Sequence, residues 1–234
     1  MIRIDLENHL YAPCLIDALA QRSQPPFMTA PLTRFTGPRM SVCPRGSLLQ
    51  RLLEVGEHRL SLLEQQGITH AVLSCSPGAE QLEPAKSIAV CQATNAALYE
   101  LTRAHPGRLF GSAILPVKDV AAAERELERC VKEYGFVSWH THSNYGNTAP
   151  DDPRYLPSSA RPPNLASTSI STLSSRGSRY AATALPLPVP VLALRWIRSP
   201  RCCAWWYPAC STRFPLTRLV LGHLGEGFPF AGPY

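Results

Sequence analysis

Arg108-Leu109-Phe110-Gly111-Ser112-Ala113-Ile114-Leu115 is a compact apolar run; a helix-period segment, 119–133, and then Gly135-Phe136-Val137-Ser138-Trp139 follow it. The first and third runs read as strands. The middle one reads as an amphipathic helix with Leu127 and Val131 on one face. Strand, helix and strand with short connections predict parallel strands joined by a crossover helix. The pattern extends toward the N-terminus. Residues 83–104 are helical and stop before Pro106-Gly107, and Thr69-His70-Ala71-Val72-Leu73-Ser74 is a strand. Residues 47–66 repeat leucine at helical spacing (Leu48, Leu49, Leu52, Leu53, then Leu60, Leu62, Leu63), with Gly67 as the C-cap. Ile2, Ile4 and Leu6 alternate with polar residues as a short first strand. A doubly wound sheet and a (β/α)8 barrel both accommodate this α/β order. No glycine-rich phosphate loop follows the first strand, which counts against a dinucleotide-binding domain.

A chain of 234 residues, 45% hydrophobic, is long enough for a packed core and too apolar for wholesale disorder. No apolar run approaches the length of a membrane span, and no secretory leader is visible, so a cytoplasmic protein is expected. The net charge of +6 is not a nucleic-acid signature once it is divided by region. Residues 1–157 hold 15 Lys+Arg against 16 Asp+Glu, whereas 158–213 hold seven Arg and no acidic residue. A nucleic-acid groove would spread its charge over folded elements. The eight cysteines (Cys14, Cys43, Cys75, Cys91, Cys130, Cys202, Cys203 and Cys210) form no CxxC pair, so neither a zinc ribbon nor a disulfide framework is expected.

Three regions follow: 1–157 as the first half of a (β/α) barrel, 158–213 as an atypical segment, and 214–234, where ordinary patterning resumes with Leu216, Leu219, Val220 and Leu221. The middle segment carries ten Ser and seven Pro, and Leu185-Pro186-Leu187-Pro188-Val189-Pro190-Val191 puts proline at every second position. A disordered insert fits poorly with Trp196, Trp205, Trp206 and Tyr207. A basic interaction segment and a stretch translated out of frame remain, and the second is favoured. An irregular middle segment is therefore expected.

Three short constellations carry chemistry. Glu7 and His9 stand two apart at the end of the first strand, so both point one way. They read as ligands for a divalent metal, or as a capping carboxylate and a hydrogen-bonded imidazole. His140 and His142 repeat that spacing at the end of the fourth strand, as a metal pair or as substrate contacts, and Asn144 lies in the loop beyond. Gly222-His223-Leu224-Gly225-Glu226-Gly227 follows another strand-like run. It reads as a catalytic imidazole and carboxylate, or as a glycine-rich turn. Asp151 and Asp152 read as acids in the first turn of a helix.

In order, Glu-x-His, Gly-Phe-Val…His-x-His…Asp-Asp-Pro-Arg-Tyr-Leu-Pro and Leu-Gly-His-Leu-Gly-Glu-Gly-x-Pro-Phe resemble the amidohydrolase-related metal-dependent decarboxylases. The γ-resorcylate, 2,3-dihydroxybenzoate, 5-carboxyvanillate and aminocarboxymuconate semialdehyde decarboxylases are among them. The resemblance covers 1–157 and 214–230. It implies a (β/α)8 TIM barrel with one divalent ion, Zn²⁺ or Mn²⁺, and no organic cofactor. It implies Glu7 and His9 as metal ligands, His223 as the acid acting on the substrate and Glu226 as the group that orients it. The implied substrate is a small aromatic carboxylic acid with a neighbouring phenol, decarboxylated without redox chemistry. His140, His142 and Asn144 are expected to contact it.

The chain departs from that pattern twice. The family's fifth-strand His has no counterpart, since 158–213 contain no His, and its eighth-strand Asp would fall beyond Tyr234. An incomplete barrel lacking C-terminal strands, with impaired activity, is expected. A full-length form is compatible with a homo-oligomer. Two other functions are open on sequence grounds. One is metal-dependent hydrolysis of an ester, lactone or amide on the same fold. The other is non-catalytic binding through the basic 158–213 segment.

Overall fold

The computed structural model describes residues 1–24, 27–29, 34–36, 41–42, 47–54, 56–75, 78–79, 82–142, 154, 168–172 and 218–221. Strand β1 (Ile4–Leu10) leads to helix α1 (Pro13–Ala20), then to a small antiparallel sheet of β2 (Phe27–Thr29), β3 (Arg34–Thr36) and β4 (Ser41–Val42). Helices α2 (Ser47–Leu53) and α3 (Glu57–Gln65) precede β5 (His70–Cys75). Helix α4 (Pro84–Ala104), β6 (Leu109–Ala113), α5 (Val120–Lys132), β7 (Ser138–His142), β8 (Thr168–Thr172) and β9 (Arg218–Leu221) complete the order. The main sheet is six-stranded, in the order β1-β5-β6-β7-β8-β9. Every pairing in it is parallel.

Local chemistry explains most boundaries. Pro84 opens α4 at a position where a missing N–H costs nothing. Asp119 caps α5 by accepting from the Ala122 N–H at 2.9 Å. Gly67, at φ +69°, ends α3 in a Schellman arrangement. There Ile68 N–H reaches Leu63 O at 2.9 Å and Gly67 N–H reaches Glu64 O at 2.8 Å. The expected helix over 47–66 is in fact two. It breaks before Gly56, whose N–H is taken by the Glu54 side chain at 2.8 Å. Within 158–213 the described residues are Thr168–Thr172, and they form a strand where irregular chain is expected. Their alternating Thr-Ser-Ile-Ser-Thr has the β-propensity that the surrounding composition hides. The rest of that segment lies outside the described residues.

Helix α4 buries Ser87, Val90, Cys91, Thr94, Asn95 and Leu98, one face at helical spacing. On α5 the buried set is Ala122, Glu126 and Cys130, with Leu127 only partly buried against the core. Glu126 is tolerated there because it is paired. It accepts from Asn95 Nδ2 at 2.8 Å and forms an ion pair with Arg129 at 2.6 Å. Asn95 also brackets the Ile114 peptide, donating to its carbonyl at 2.9 Å and accepting from its N–H at 3.0 Å. Two crossover helices and the exit of β6 are thus tied through one amide. Burial, together with the neighbouring Glu126 charge, holds the Cys130 thiol well above its ordinary range, so it packs as an apolar group.

The end of β1 is fixed by a buried cation. Arg59 of α3 is 9% exposed and spends its donors on four acceptors. These are Asn8 Oδ1 at 2.5 Å, His9 O at 2.8 Å, Arg51 O at 2.6 Å and Glu54 O at 2.9 Å. Burial lowers its pKa and the charges of Glu54 and Asp5 push it back up. Asp5 in turn accepts from Glu7 N–H at 3.0 Å and from Asn8 Nδ2 at 2.8 Å. These bonds straddle an irregularity: Asp5 pairs with Ala71 but Asn8 with Leu73, so β1 carries one extra residue between them. Such a bulge re-aims the side chains around it.

Two stability outcomes follow. Arg59→Met strands several buried acceptors, so urea denaturation should show a loss of about 3 kcal/mol, and Arg59→Lys, lacking the planar fork, should recover only part of it. At Gly111 a Cβ would stand 2.3 Å from the Phe136 ring. Gly111→Ala should cost about 2–3 kcal/mol by overpacking, read from the same denaturation curves.

Candidate metal and substrate site

Parallel pairing puts partner residues on the same face of a sheet. His9 pairs with Ser74, Val72 with Phe110, and Ser112 with Ser138. With side chains alternating along each strand, His9, Ser74, Ser112, Ser138 and His140 all share one face. Ala71, Leu73, Leu109 and Ala113 turn to the other, which packs in the helical core.

The rings of His9 and His140 meet with centroids 5.2 Å apart and planes at 80°. Strands β5 and β6 lie between β1 and β7. In a flat sheet that separation is about 14 Å. The sheet must therefore curl, with both rings reaching inward across the hollow. That contact decides between the two architectures the sequence allows, in favour of a barrel-like wall.

Three more features define the hollow. His9 Nδ1 and Ser74 Oγ share a hydrogen bond of 2.8 Å, with Ser74 fully buried. This fixes the ring and turns Nε2 toward the opposite side. Glu7 Oε1 is shut off from solvent with no hydrogen-bond partner. The buried hydroxyls of Ser112 and Ser138, adjacent across β6 and β7, are also unsatisfied. Polar atoms in that state await a ligand, a cation or water. His140 is 3% exposed.

Glu7 and His9 sit on one strand, and His140 is brought against His9 across the hollow. His142 is the last residue of β7, opposite Thr172 in register. Asn144, His223 and Glu226 lie outside the described residues, as do Asp151 and Asp152. In sequence, His223 follows the last residue of β9 by two positions. Among the described residues, no group of three or more His, Cys, Asp or Glu side chains is gathered as a ready metal centre. What fits a divalent ion is a fixed imidazole and a buried carboxylate oxygen lacking a partner, the donor types that Zn²⁺ and Mn²⁺ take. Sequence reasoning missed Ser74, Ser112, Ser138 and Arg59. The three serines share their strand parity with the inward histidines, a readable signal once the register is known. Arg59 reads on a helix like any solvated charge.

The model of the amidohydrolase family matches residues 63–231. Two curated relatives are γ-resorcylate decarboxylases. The one from Rhodococcus jostii strain RHA1 is 30% identical over 205 residues, covering 78% of this chain and 60% of its own length. The one from Polaromonas sp. strain JS666 is 27% identical over 200 residues, covering 79% of this chain and 60% of its own. This chain thus spans about 60% of the length of both. The crystal structure of a dihydroxybenzoic acid decarboxylase from Polaromonas sp. JS666, with bound manganese and the inhibitor 2-nitroresorcinol, superposes with a TM-score of 0.68 at 23% identity. That match covers 98% of this chain and 68% of the other, so the curled sheet and its helices form part of a TIM barrel. The chain belongs to the amidohydrolase family.

Proposed function

We propose that the protein acts in metal-dependent, nonoxidative decarboxylation of a hydroxylated aromatic acid. The observation that carries this reading is the Glu7-x-His9 pair on an inward-facing strand end, in a chain similar to two γ-resorcylate decarboxylases. Glu7 and His9 would hold the ion, Mn²⁺ before Zn²⁺, since a related decarboxylase structure holds manganese. When bound, the ion supplies a Lewis-acidic anchor for the substrate's carboxylate and adjacent phenolic oxygen.

The protein's own groups do the rest. Ser74 keeps the His9 ring from rotating. His223 delivers a proton to the ring carbon that bears the carboxylate, and Glu226 holds that imidazole in orientation. The bond to the carboxylate breaks, its electron pair returns to the ring, and CO2 leaves. No electron enters or leaves the system, so no organic cofactor is required. His140, His142 and Asn144 are the candidate contacts to the aromatic acid, and the buried hydroxyls of Ser112 and Ser138 would offer it further polar contacts. Cys75, Cys91 and Cys130 are buried thiols outside any disulfide, which supports a reducing, cytoplasmic setting. Among the described residues no helix is long and apolar enough to cross a membrane.

Hydrolysis of an ester, lactone or amide is the second reading, favoured by the match to the amidohydrolase family as a whole. Incubation of the Mn²⁺-supplemented chain with 2,6-dihydroxybenzoate and with aryl esters separates the two. The expected result is CO2 release, slower than that of a γ-resorcylate decarboxylase assayed alongside by on the order of 10²-fold. Ester cleavage without CO2 release would transfer the assignment to hydrolysis. His223→Ala should cut turnover by roughly 10²-fold or more with metal content nearly unchanged, whereas Glu7→Ala should lower both.

A further inference from the structure

We propose that the outer edge of β1 is a self-association site, at which two copies of the chain pair their first strands antiparallel about a two-fold axis centred on Ile4. The pairing needs neither metal nor substrate. Strand β1 ends the order of the six-stranded sheet, and among the described residues no strand pairs with its outer edge. Exposed apolar surface gathers at the same place. Of six exposed large hydrophobic residues among those described, four are Met1, Ile2, Ile4 and Leu6, with Ile2 73% and Ile4 55% exposed. An open edge of this kind is a template for another strand.

The backbone is turned for such a pairing. Arg3 spends its main-chain groups on the β5 side: its carbonyl accepts from Thr69 N–H at 2.9 Å and His70 N–H at 3.2 Å, and its N–H donates to Thr69 Oγ1 at 2.9 Å. Direction alternates along a ladder, so Ile2 and Ile4 present theirs to the open edge. Farther along, that edge is closed by α2 and α3. Arg59 reaches the His9 carbonyl at 2.8 Å, and Tyr11 N–H reaches Leu52 O at 2.9 Å. The open stretch is therefore short, Ile2 to Leu6, and it is the apolar one. Its sequence is also self-complementary. Ile2-Arg3-Ile4-Asp5-Leu6 reads apolar, cationic, apolar, anionic, apolar. Turned about Ile4, copy against copy, Arg3 of each meets Asp5 of the other, Ile2 meets Leu6, and Ile4 meets itself. Opposite charges and aliphatic pairs set directly across stabilise an antiparallel pair, and like charges destabilise it. An axis at Asp5 would set that carboxylate against its own copy. The Asp5 carboxylate is held in place by Glu7 N–H and Asn8 Nδ2 and keeps acceptor positions for a guanidinium. A second copy supplies the matching alternation by identity, and a two-fold axis joins the same patch on both copies.

The test is sedimentation velocity of the purified 234-residue chain over a range of concentrations, with cysteine cross-linking to fix the register. Wild type should pass from monomer to dimer as concentration rises. Ile4→Lys sets two ammonium groups face to face at the axis and should weaken dimerisation by about tenfold or more. Arg3→Glu and Asp5→Lys should each weaken it, and an equimolar mixture of the two should restore dimers, because every charge then meets its opposite. Damage to folding could not be repaired by mixing. Ile4→Cys should form a disulfide between copies through position 4 on mild oxidation, since opposed Cα atoms of a hydrogen-bonded antiparallel pair stand about 5.5 Å apart. Ile2→Cys and Leu6→Cys should cross-link to one another and not to themselves, as read by peptide mass mapping. A wild type monomeric at every concentration, or dimers that Ile4→Lys leaves intact, would overturn the proposal. Ile2→Cys linking to itself in preference to Ile4→Cys would overturn the axis at Ile4. Open-ended assembly past the dimer would overturn the closed pair in favour of β1 stacking on the far edge of another sheet.

Discussion

Parallel strands can be joined only by chain that crosses over one face, and that restriction shapes everything else here. Helices α4 and α5 occupy one side of the sheet, so the other side is left to polar chemistry. That face carries Ser74, Ser112 and Ser138 with His9 and His140, and the sheet is curled about it. The meeting of His9 with His140 across two intervening strands records that curl. A flat sheet of the same sequence would leave both rings in water and the two ends of the candidate site far apart.

The alternation of strands and helices from β5 to β7 was legible because periodicity is a local property. Val72, Leu109 and Leu127 announce their elements within a few residues. The division of α2 from α3 was not legible, since leucine spacing continues straight through it and only a side-chain cap at Gly56 marks the break. Strand β8 was masked by its neighbours: five residues with good β-propensity carry little weight inside a stretch dominated by Ser, Pro and Arg. The small sheet β2–β4 left no periodic trace, being built of strands of three residues or fewer.

The candidate site was legible in residue type and not in geometry. Glu7, His9 and His140 stand out because carboxylate and imidazole at strand ends are chemically conspicuous. Arg59 and Glu126 do not, since a buried charge and a solvated one look alike until their partners are known. Both are held inside by hydrogen bonds to groups distant in sequence, Arg59 to Asn8 and His9, and Glu126 to Asn95. Pairings over such separations are set by the fold as a whole. The bulge in β1 belongs to the same class. Nothing in Asp5-Leu6-Glu7-Asn8 demands an extra residue, yet the Asp5 carboxylate and the Arg59 guanidinium together hold one in place.

The tripeptide Glu7-Asn8-His9 serves two masters. His9 faces the hollow and the Glu7 Oε1 atom is closed off from solvent, while Asn8 turns to the buried guanidinium of Arg59. Selection on chemistry and selection on folding therefore act on alternate letters of the same short word. A lineage that replaces Asn8 must find another acceptor for Arg59 or give up the cation, and a lineage that loses Arg59 frees Asn8 to drift. Positions 8 and 59 should covary across related sequences, with 7 and 9 conserved independently of both.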